Sequence, residues 1–301
     1  MEILFSGKKD LIPKDINIID DISESHSDDI VYISDNKSGE MSDLDYFLKN
    51  STSGNWVAYS ITENTGESLF DFESGKNQNL GDDYADGGVE VGLYRGNKAF
   101  ISSILNGQIN TPFNYLFMGA AREDYNIKKP ALFLDRDGII NKDFGYCIDK
   151  NKTELVSGIE DLIKWANGNN MYVVVLTNQS GVARGIYTEA ELKGYHCYLE
   201  KLLSDKGAHI DLWQYCPFHF EAGKGSYSKK SFCRKPWPGM ALKSCDVLPI
   251  DLGKSIMLGD KVSDALDIKG LTNLHLKGQY DLSNCENPVF NKISEVITYL
   301  S

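Results

Sequence analysis

Residues 130–141 read PALFLDRDGIIN. The run ALFL is solidly apolar, without the alternation of a half-exposed strand, and a proline precedes it while acids and a glycine follow. That is the signature of a short strand buried on both faces. The same pattern recurs downstream in MYVVVLTN (171–178), DLWQYC (211–216), SIMLGD (255–260) and LHLKG (274–278). Helical stretches separate these runs. They are GIEDLIKWANG (158–168), a long segment from a Thr188–Glu189 cap towards LLSDKG, GMALKSCDVL (239–248), SDALDIKG (263–270) and the closing NKISEVITYL (291–300). Strands alternating with helices predict a parallel sheet covered on both faces, so residues 130–301 are expected to form an α/β, doubly wound, Rossmann-like domain.

Upstream the texture changes. Residues 1–129 hold 11 basic and 22 acidic side chains, a net of −11, whereas 130–301 hold 20 and 21, a net of −1. With 301 residues in all, two domains are the natural expectation: an acidic α/β or α+β segment over 1–125, and the α/β domain over 130–301. The acidic segment is loop-rich, with β-type runs in EILF, INII, DIVYIS, NWVAYSI, VEVGLYR and FNYLFM and helical runs in DLDYFLKN and NKAFISSILN. The stretch SGKNQNLGDDYADGG reads as loop, and no repeat is evident.

In open parallel sheets, ligands bind at the carboxyl ends of the strands. Asp135-Arg136-Asp137-Gly138 stands at one such end, Thr177-Asn178-Gln179-Ser180-Gly181 at a second and Gly259-Asp260-Lys261 with Asp264 at a third, with Cys233-Arg234-Lys235-Pro236 between them. Acids, a hydroxyl and a lysine converging on one mouth suit phosphoryl transfer through a carboxylate nucleophile. Mg²⁺ held by carboxylates would neutralise the anionic reactants. Lys235 and Thr177 would contact the phosphoryl oxygens, and Asp137 would serve as acid and then base. Taken singly, each motif also reads as a turn or a helix-capping device. It is their joint order at successive strand ends that points to a site.

FLDRDGIIN, DFGY, VVVLTNQSGVARG, CRKPWPGM and MLGDKVSD together resemble the haloacid dehalogenase (HAD) superfamily. Within it they resemble the D-glycero-D-manno-heptose 1,7-bisphosphate phosphatase branch, which also contains histidinol-phosphate phosphatases. The resemblance covers nearly all of 130–301 and implies a HAD-type fold without a large cap. It implies Asp135 as nucleophile and Asp137 as general acid/base. Mg²⁺ would be held by Asp135, by Asp137 through its backbone carbonyl, and by Asp260. Thr177 and Lys235 are implied as phosphoryl stabilisers. Substrate contacts are implied at Asp143, Phe144, Gly145 and Tyr146, at Asn178, Gln179 and Ser180, and at Arg234 and Lys261. Ile139 stands where many members have Thr. Many members also carry a zinc loop of the form C-x-H and C-x-C. Here Phe218 and Ser231 occupy two of its positions, leaving Cys216, His219 and Cys233, fewer ligands than a closed tetrahedral zinc site needs.

The implied activity is hydrolysis of a small phosphorylated sugar, with removal of the 7-phosphate of a heptose bisphosphate as first expectation and histidinol-phosphate hydrolysis as the alternative. A non-catalytic scaffold would be expected to have lost one of Asp135, Asp137, Lys235 or Asp260, and all four are present. The formal charge of −12 argues against nucleic acid or an anionic membrane surface as partner. No apolar run approaches the roughly 20 residues that span a bilayer, and six cysteines in a chain of this length fit reduced thiols in a cytoplasm. In the acidic segment, GAAREDY faintly resembles the end of a sugar-phosphate nucleotidyltransferase motif, but no glycine-rich phosphate loop precedes Asp35. A degenerate transferase-like unit serving packing, oligomerisation or docking is the expectation there, with a bifunctional enzyme as its rival.

Overall fold

A computed structural model describes residues 2–5, 18–19, 29–33, 47, 51, 55–64, 68–74, 76–106, 113–117, 128–146 and 148–301. In the N-terminal part these form strands β1 (Glu2–Phe5), β2 (Ile18–Ile19), β3 (Ile30–Ile33), β4 (Trp56–Glu63), β5 (Ser68–Asp71), β6 (Lys76–Asn79), β7 (Asp86–Gly96) and β8 (Asn114–Phe117), with helix α1 (Lys98–Leu105). The sheet order is β2-β1-β3-β7-β4-β8, with the β5–β6 hairpin attached to β7. β1 pairs in parallel with β2 and β3, while β7 runs antiparallel to β3 and β4. The β5–β6 hairpin corrects the sequence reading, which took 74–88 as loop. Every residue of β6, Lys-Asn-Gln-Asn, is exposed, so no apolar pattern marks it. The helix expected in DLDYFLKN lies, apart from Phe47, outside the described residues.

From Pro130 the alternation appears as expected. β9 (Ala131–Leu134) leads to α2 (Ile159–Gly168), β10 (Tyr172–Asn178), the short α3 (Ser180–Ala183) and α4 (Glu189–Ser204). β11 (Leu212–Cys216), α5 (Gly239–Cys245), β12 (Ile256–Gly259), β13 (Thr272–Leu276), β14 (Val289–Phe290) and α6 (Ile293–Leu300) follow. All pairings in the six-stranded sheet, ordered β11-β10-β9-β12-β13-β14, are parallel. α4 opens on a capping box between Thr188 and Glu191, which satisfies backbone donors that the first turn otherwise leaves unpaired. The segment SDALDIKG does not form a helix: a single 3₁₀ turn over Val262–Asp264 suffices, and Asp264 is drawn back to cap the loop after β12 rather than to start a helix.

Side chains alternate across the sheet. Leu132, Leu134, Val173, Val175 and Leu258 pack with Ile159, Leu162 and Ile163 of α2, Leu199 and Leu203 of α4, and Ile293 and Val296 of α6. Ala131, Phe133, Val174, Leu176 and Met257 face the other way, onto Met240, Ala241 and Leu242 of α5. Each fully buried Val, Leu, Ile, Phe or Met side chain among them contributes about 1.5–3 kcal/mol. The second face holds a surprise for a two-domain reading. Its core does not end at α5 but runs without a break into Ile30, Val57, Tyr59, Phe70, Phe72 and Phe100 of the N-terminal part. Phe232 is the hinge of this continuity, with its ring 4.9 Å from Phe72, 4.9 Å from Trp237 and 5.9 Å from Tyr84. No described helix is long and apolar enough to cross a membrane.

Candidate active site

The carboxyl ends of β9, β10 and β12 and the loop between β11 and α5 meet at a cavity of about 270 Å³. Asp135 sits where β9 ends, its N–H donating 3.0 Å to the carbonyl of Leu258, which ties the first loop to β12. Lys235 Nζ lies 2.8 Å from Asp135 Oδ1 and 2.7 Å from Asp264 Oδ1, all three side chains being buried. Asp264 is held in turn, its Oδ2 accepting from the N–H groups of Asp260 (3.1 Å) and Lys261 (2.9 Å). A Cβ at position 259 would stand 2.2 Å from that of Asp264, so the loop closes only on glycine. Burial pushes the Asp135 carboxyl up to about 6, with Lys235 opposing the rise and Asp264 adding to it. Burial alone would depress Lys235, yet the two carboxylates hold its ammonium above the usual value.

Asp137 has a different environment. Arg136, itself buried, donates from Nε (3.0 Å) and from its second terminal nitrogen (2.6 Å) to the two carboxylate oxygens. Asn141 and Gln179 donate to the same group. Burial would raise this carboxyl, but the charge and hydrogen bonds of Arg136 outweigh it, and Asp137 lies below the usual carboxylate value. Gln179 links three groups, since its Nε2 donates to Asp137 Oδ2 (3.0 Å) and Thr177 Oγ1 (2.7 Å) while its Oε1 accepts from Tyr187 (2.7 Å). Thr177 is thereby oriented by an acceptor role that leaves its own proton for the cavity.

Of the residues the sequence nominated, Asp143, Gly145, Tyr146, Asn178, Gln179, Ser180, Arg234 and Lys261 line the cavity beside Asp135, Asp137, Thr177 and Lys235. Phe144 does not. It is exposed and turns to an adjoining groove with Lys142 and Gly278, because Gly145, at φ +69°, reverses the chain. Asn178 lines the cavity but has its amide engaged on Lys235, accepting from its N–H and donating to its carbonyl, both at 3.0 Å. Tyr187, Ser263, Asp264 and Tyr280 also line it. Tyr280 donates 2.7 Å to Asp143 and lies under Lys261 Nζ, 4.2 Å from the ring centre. Asp264 is the acid that the sequence sets beside Asp260 and Lys261; the two tyrosines carry no such signal.

Cys216, His219 and Cys233 do not form a ligand set among the described residues. The only His, Cys, Asp and Glu group there whose ligand atoms lie within 4.8 Å of one another is Asp135, Asp260 and Asp264. Burial pushes the Cys216 thiol up to about 11 and Cys233 well above its usual value. His219 Nδ1 accepts from the N–H of Ala222. The loop carrying these residues is held instead by Asp86 of β7, which accepts from Ser231 Oγ and from the Phe232 N–H, each at 2.5 Å.

The acid cluster suits a hard divalent cation. Both carboxylate oxygens of Asp260 are buried with no hydrogen-bond partner, and burial together with the neighbouring Asp135 pushes this carboxyl up to about 8. Buried polar atoms normally have partners, and an all-oxygen set matches Mg²⁺. A pH dependence follows. From about pH 4, where free carboxyls ionise, to about 8, folded Asp260 keeps a proton that the unfolded chain has lost, so rising pH destabilises cation-free protein. Mg²⁺ bound there would take the place of that proton. The rise in melting temperature on adding Mg²⁺ is therefore expected to be larger at pH 8 than at pH 5 in thermal melts against EDTA; an equal rise at both contradicts the assignment. Gly138, at φ +91°, offers a second check, because a Cβ there would stand 2.0 Å from Asp260 Oδ2. Gly138→Ala is expected to weaken Mg²⁺ binding about 10- to 100-fold by displacing Asp260, as read by calorimetric titration.

No family model matches the chain. It is 40% identical over 138 residues to a D-glycero-beta-D-manno-heptose-1,7-bisphosphate 7-phosphatase of Vibrio cholerae, covering 46% of this chain and 74% of that protein. It is 36% identical over 154 residues to one of Rhodopseudomonas palustris, covering 50% and 86%. Among solved structures, a HAD-like phosphatase from Mesorhizobium loti superposes with a TM-score of 0.53 at 31% identity, over 61% of this chain and 90% of that one. Identity at this level over three quarters of a relative, on a parallel sheet that gathers its acids at the strand ends, makes the chain a member of the heptose-bisphosphate phosphatase family of the HAD superfamily.

Proposed function

We propose that this protein hydrolyses the 7-phosphate of D-glycero-D-manno-heptose 1,7-bisphosphate, with Asp135 as nucleophile. The observation that carries the chemistry is a cluster of three buried acids, Asp135, Asp260 and Asp264, of which Asp135 and Asp264 pair with the buried ammonium of Lys235 while Asp260 has no partner, beside a cavity rimmed with donors. A cation and a phosphate group complete that arrangement. The sugar is taken from the relatives so named.

Asp135 and Asp260, with the Asp137 carbonyl, would hold Mg²⁺, which supplies positive charge against the repulsion between carboxylate and phosphate. The Asp135 carboxylate oxygen attacks phosphorus, the P–O bond to the sugar breaks, and the leaving oxygen takes a proton from Asp137, whose neutral form the incoming phosphate dianion favours against the pull of Arg136. An aspartyl-phosphate remains on Asp135. Asp137 then takes a proton from water, whose oxygen attacks phosphorus, releasing orthophosphate and restoring the Asp135 carboxylate. Lys235 and the Thr177 hydroxyl stabilise the transferring oxygens. Arg136 favours the ionised Asp137 that the second half-reaction needs. Arg234, Lys261 and Tyr146 stand where the rest of a phosphorylated sugar would lie.

Phosphate release with Mg²⁺ from heptose 1,7-bisphosphate, histidinol phosphate and simple sugar monophosphates tests this reading. Preferential release from the bisphosphate is expected. Preferential turnover of histidinol phosphate keeps the chemistry and overturns the substrate.

A further inference from the structure

Arg234 and Lys235 enter the cavity from a tight turn that the parallel sheet holds at Lys235, through Asn178, and that the N-terminal part holds at its start. Its three successive amides at 232, 233 and 234 are satisfied by two side chains and one backbone carbonyl. The Phe232 N–H donates to Asp86 Oδ1 at 2.5 Å, the Cys233 N–H to Ser231 Oγ at 3.1 Å, and the Arg234 N–H to the Ser231 carbonyl at 3.1 Å. Ser231 Oγ can serve Cys233 as acceptor because its own proton goes to Asp86 Oδ2, 2.5 Å away. One carboxylate thus caps the turn on both sides, as an aspartate caps the first turn of a helix. That carboxylate is buried and belongs to the first residue of β7, in the N-terminal part of the chain.

The contacts around it extend the same docking. Lys230 N–H donates to the carbonyl of Asp83 (2.7 Å) and Ala85 N–H to that of Lys230 (2.8 Å), forming a parallel bridge between Tyr84 and Lys230. Lys230 Nζ pairs with Glu73 at the surface. On the far side, Asn178 grips the Lys235 backbone from β10. Lys235 is therefore fixed between the sheet that carries Asp135 and the sheet that carries Asp86.

We propose that Asp86 is a positioning residue of the phosphatase, through which the N-terminal part sets the geometry of the Arg234–Lys235 phosphate-binding turn. The proposal rests on the phosphatase reading above and adds to it a role for a region outside the HAD-type sheet. It predicts that the phosphate site and the N-terminal contact are lost together.

The test is calorimetric binding of orthophosphate in the presence of Mg²⁺ and turnover of p-nitrophenyl phosphate, both with the full chain. A displacement of the turn by a fraction of an ångström is enough to weaken binding about tenfold, and that loss is expected for Asp86→Ala. Asp86→Asn, which keeps one acceptor, should fall between Asp86→Ala and the unaltered protein. Ser231→Ala, which leaves the acidic residue in place, should reproduce the Asp86→Ala loss and stands in for it if that variant does not fold. Glu73→Gln removes the surface charge pair with Lys230, leaves an acceptor for the Tyr84 hydroxyl and should stay within about twofold. Orthophosphate affinity and turnover unchanged in Asp86→Ala or Ser231→Ala, with only the melting temperature lowered, overturns the proposal. An unaltered protein that binds orthophosphate but hydrolyses no phosphomonoester overturns the phosphatase reading instead, and the affinity ratio still decides on Asp86.

Discussion

Asp135→Asn is expected to lower turnover by about 10⁴-fold or more and to leave the protein folded. The amide is the same size as the carboxylate, and the backbone bond from residue 135 to Leu258 does not involve the side chain. Lys235 keeps its second partner, Asp264, at 2.7 Å, so no ammonium is stranded. The variant should still bind orthophosphate, because Lys235 and Thr177 are intact, but it should accumulate no acid-stable mass increment of a phosphoryl group when quenched during turnover. Residual activity above a few per cent would mean that another group attacks phosphorus.

Lys235→Ala is expected to damage both stability and rate. The lysine is buried between two buried carboxylates, and removing one partner of a buried pair costs about 3–5 kcal/mol. Loss of a preorganised charge at the transferring phosphoryl group should lower kcat by about 10²–10³. Adding Asp264→Asn to this variant relieves one of the stranded charges, so the melting temperature should partly recover while turnover does not. A single variant as stable as the unaltered protein would show that the three groups do not share one buried charge network.

The acids at the strand ends were legible because buried parallel strands read as unbroken apolar runs, which fixes where each strand ends and hence which side chains meet. Asp135, Thr177 and Asp260 are placed by that rule alone. Lys235 is not at a strand end, and only its order in the chain suggested its place. Asp86 was invisible for a related reason. It stands in GDDYADGG, a stretch that reads as loop, and its partners Ser231 and Phe232 are 145 and 146 residues away. Nothing local distinguishes it from Asp82 or Asp83. Phe144 was misplaced because a single glycine reversal moved it to the neighbouring groove. His196 lies on α4, buried against Trp213 at 4.7 Å, and it also meets the Arg136 guanidinium at 3.3 Å. A periodicity argument finds the first contact and not the second.

Transfer of the 7-phosphate of a heptose bisphosphate to Asp135 is the proposed step on which the rest depends. Phosphorus NMR of D-glycero-D-manno-heptose 1,7-bisphosphate incubated with the protein and Mg²⁺ tests it most directly. Loss of the 7-phosphate resonance, growth of orthophosphate and an unchanged anomeric phosphate signal are the predicted result, with none of these changes for Asp135→Asn. Loss of the anomeric phosphate, or persistence of both resonances, would contradict it.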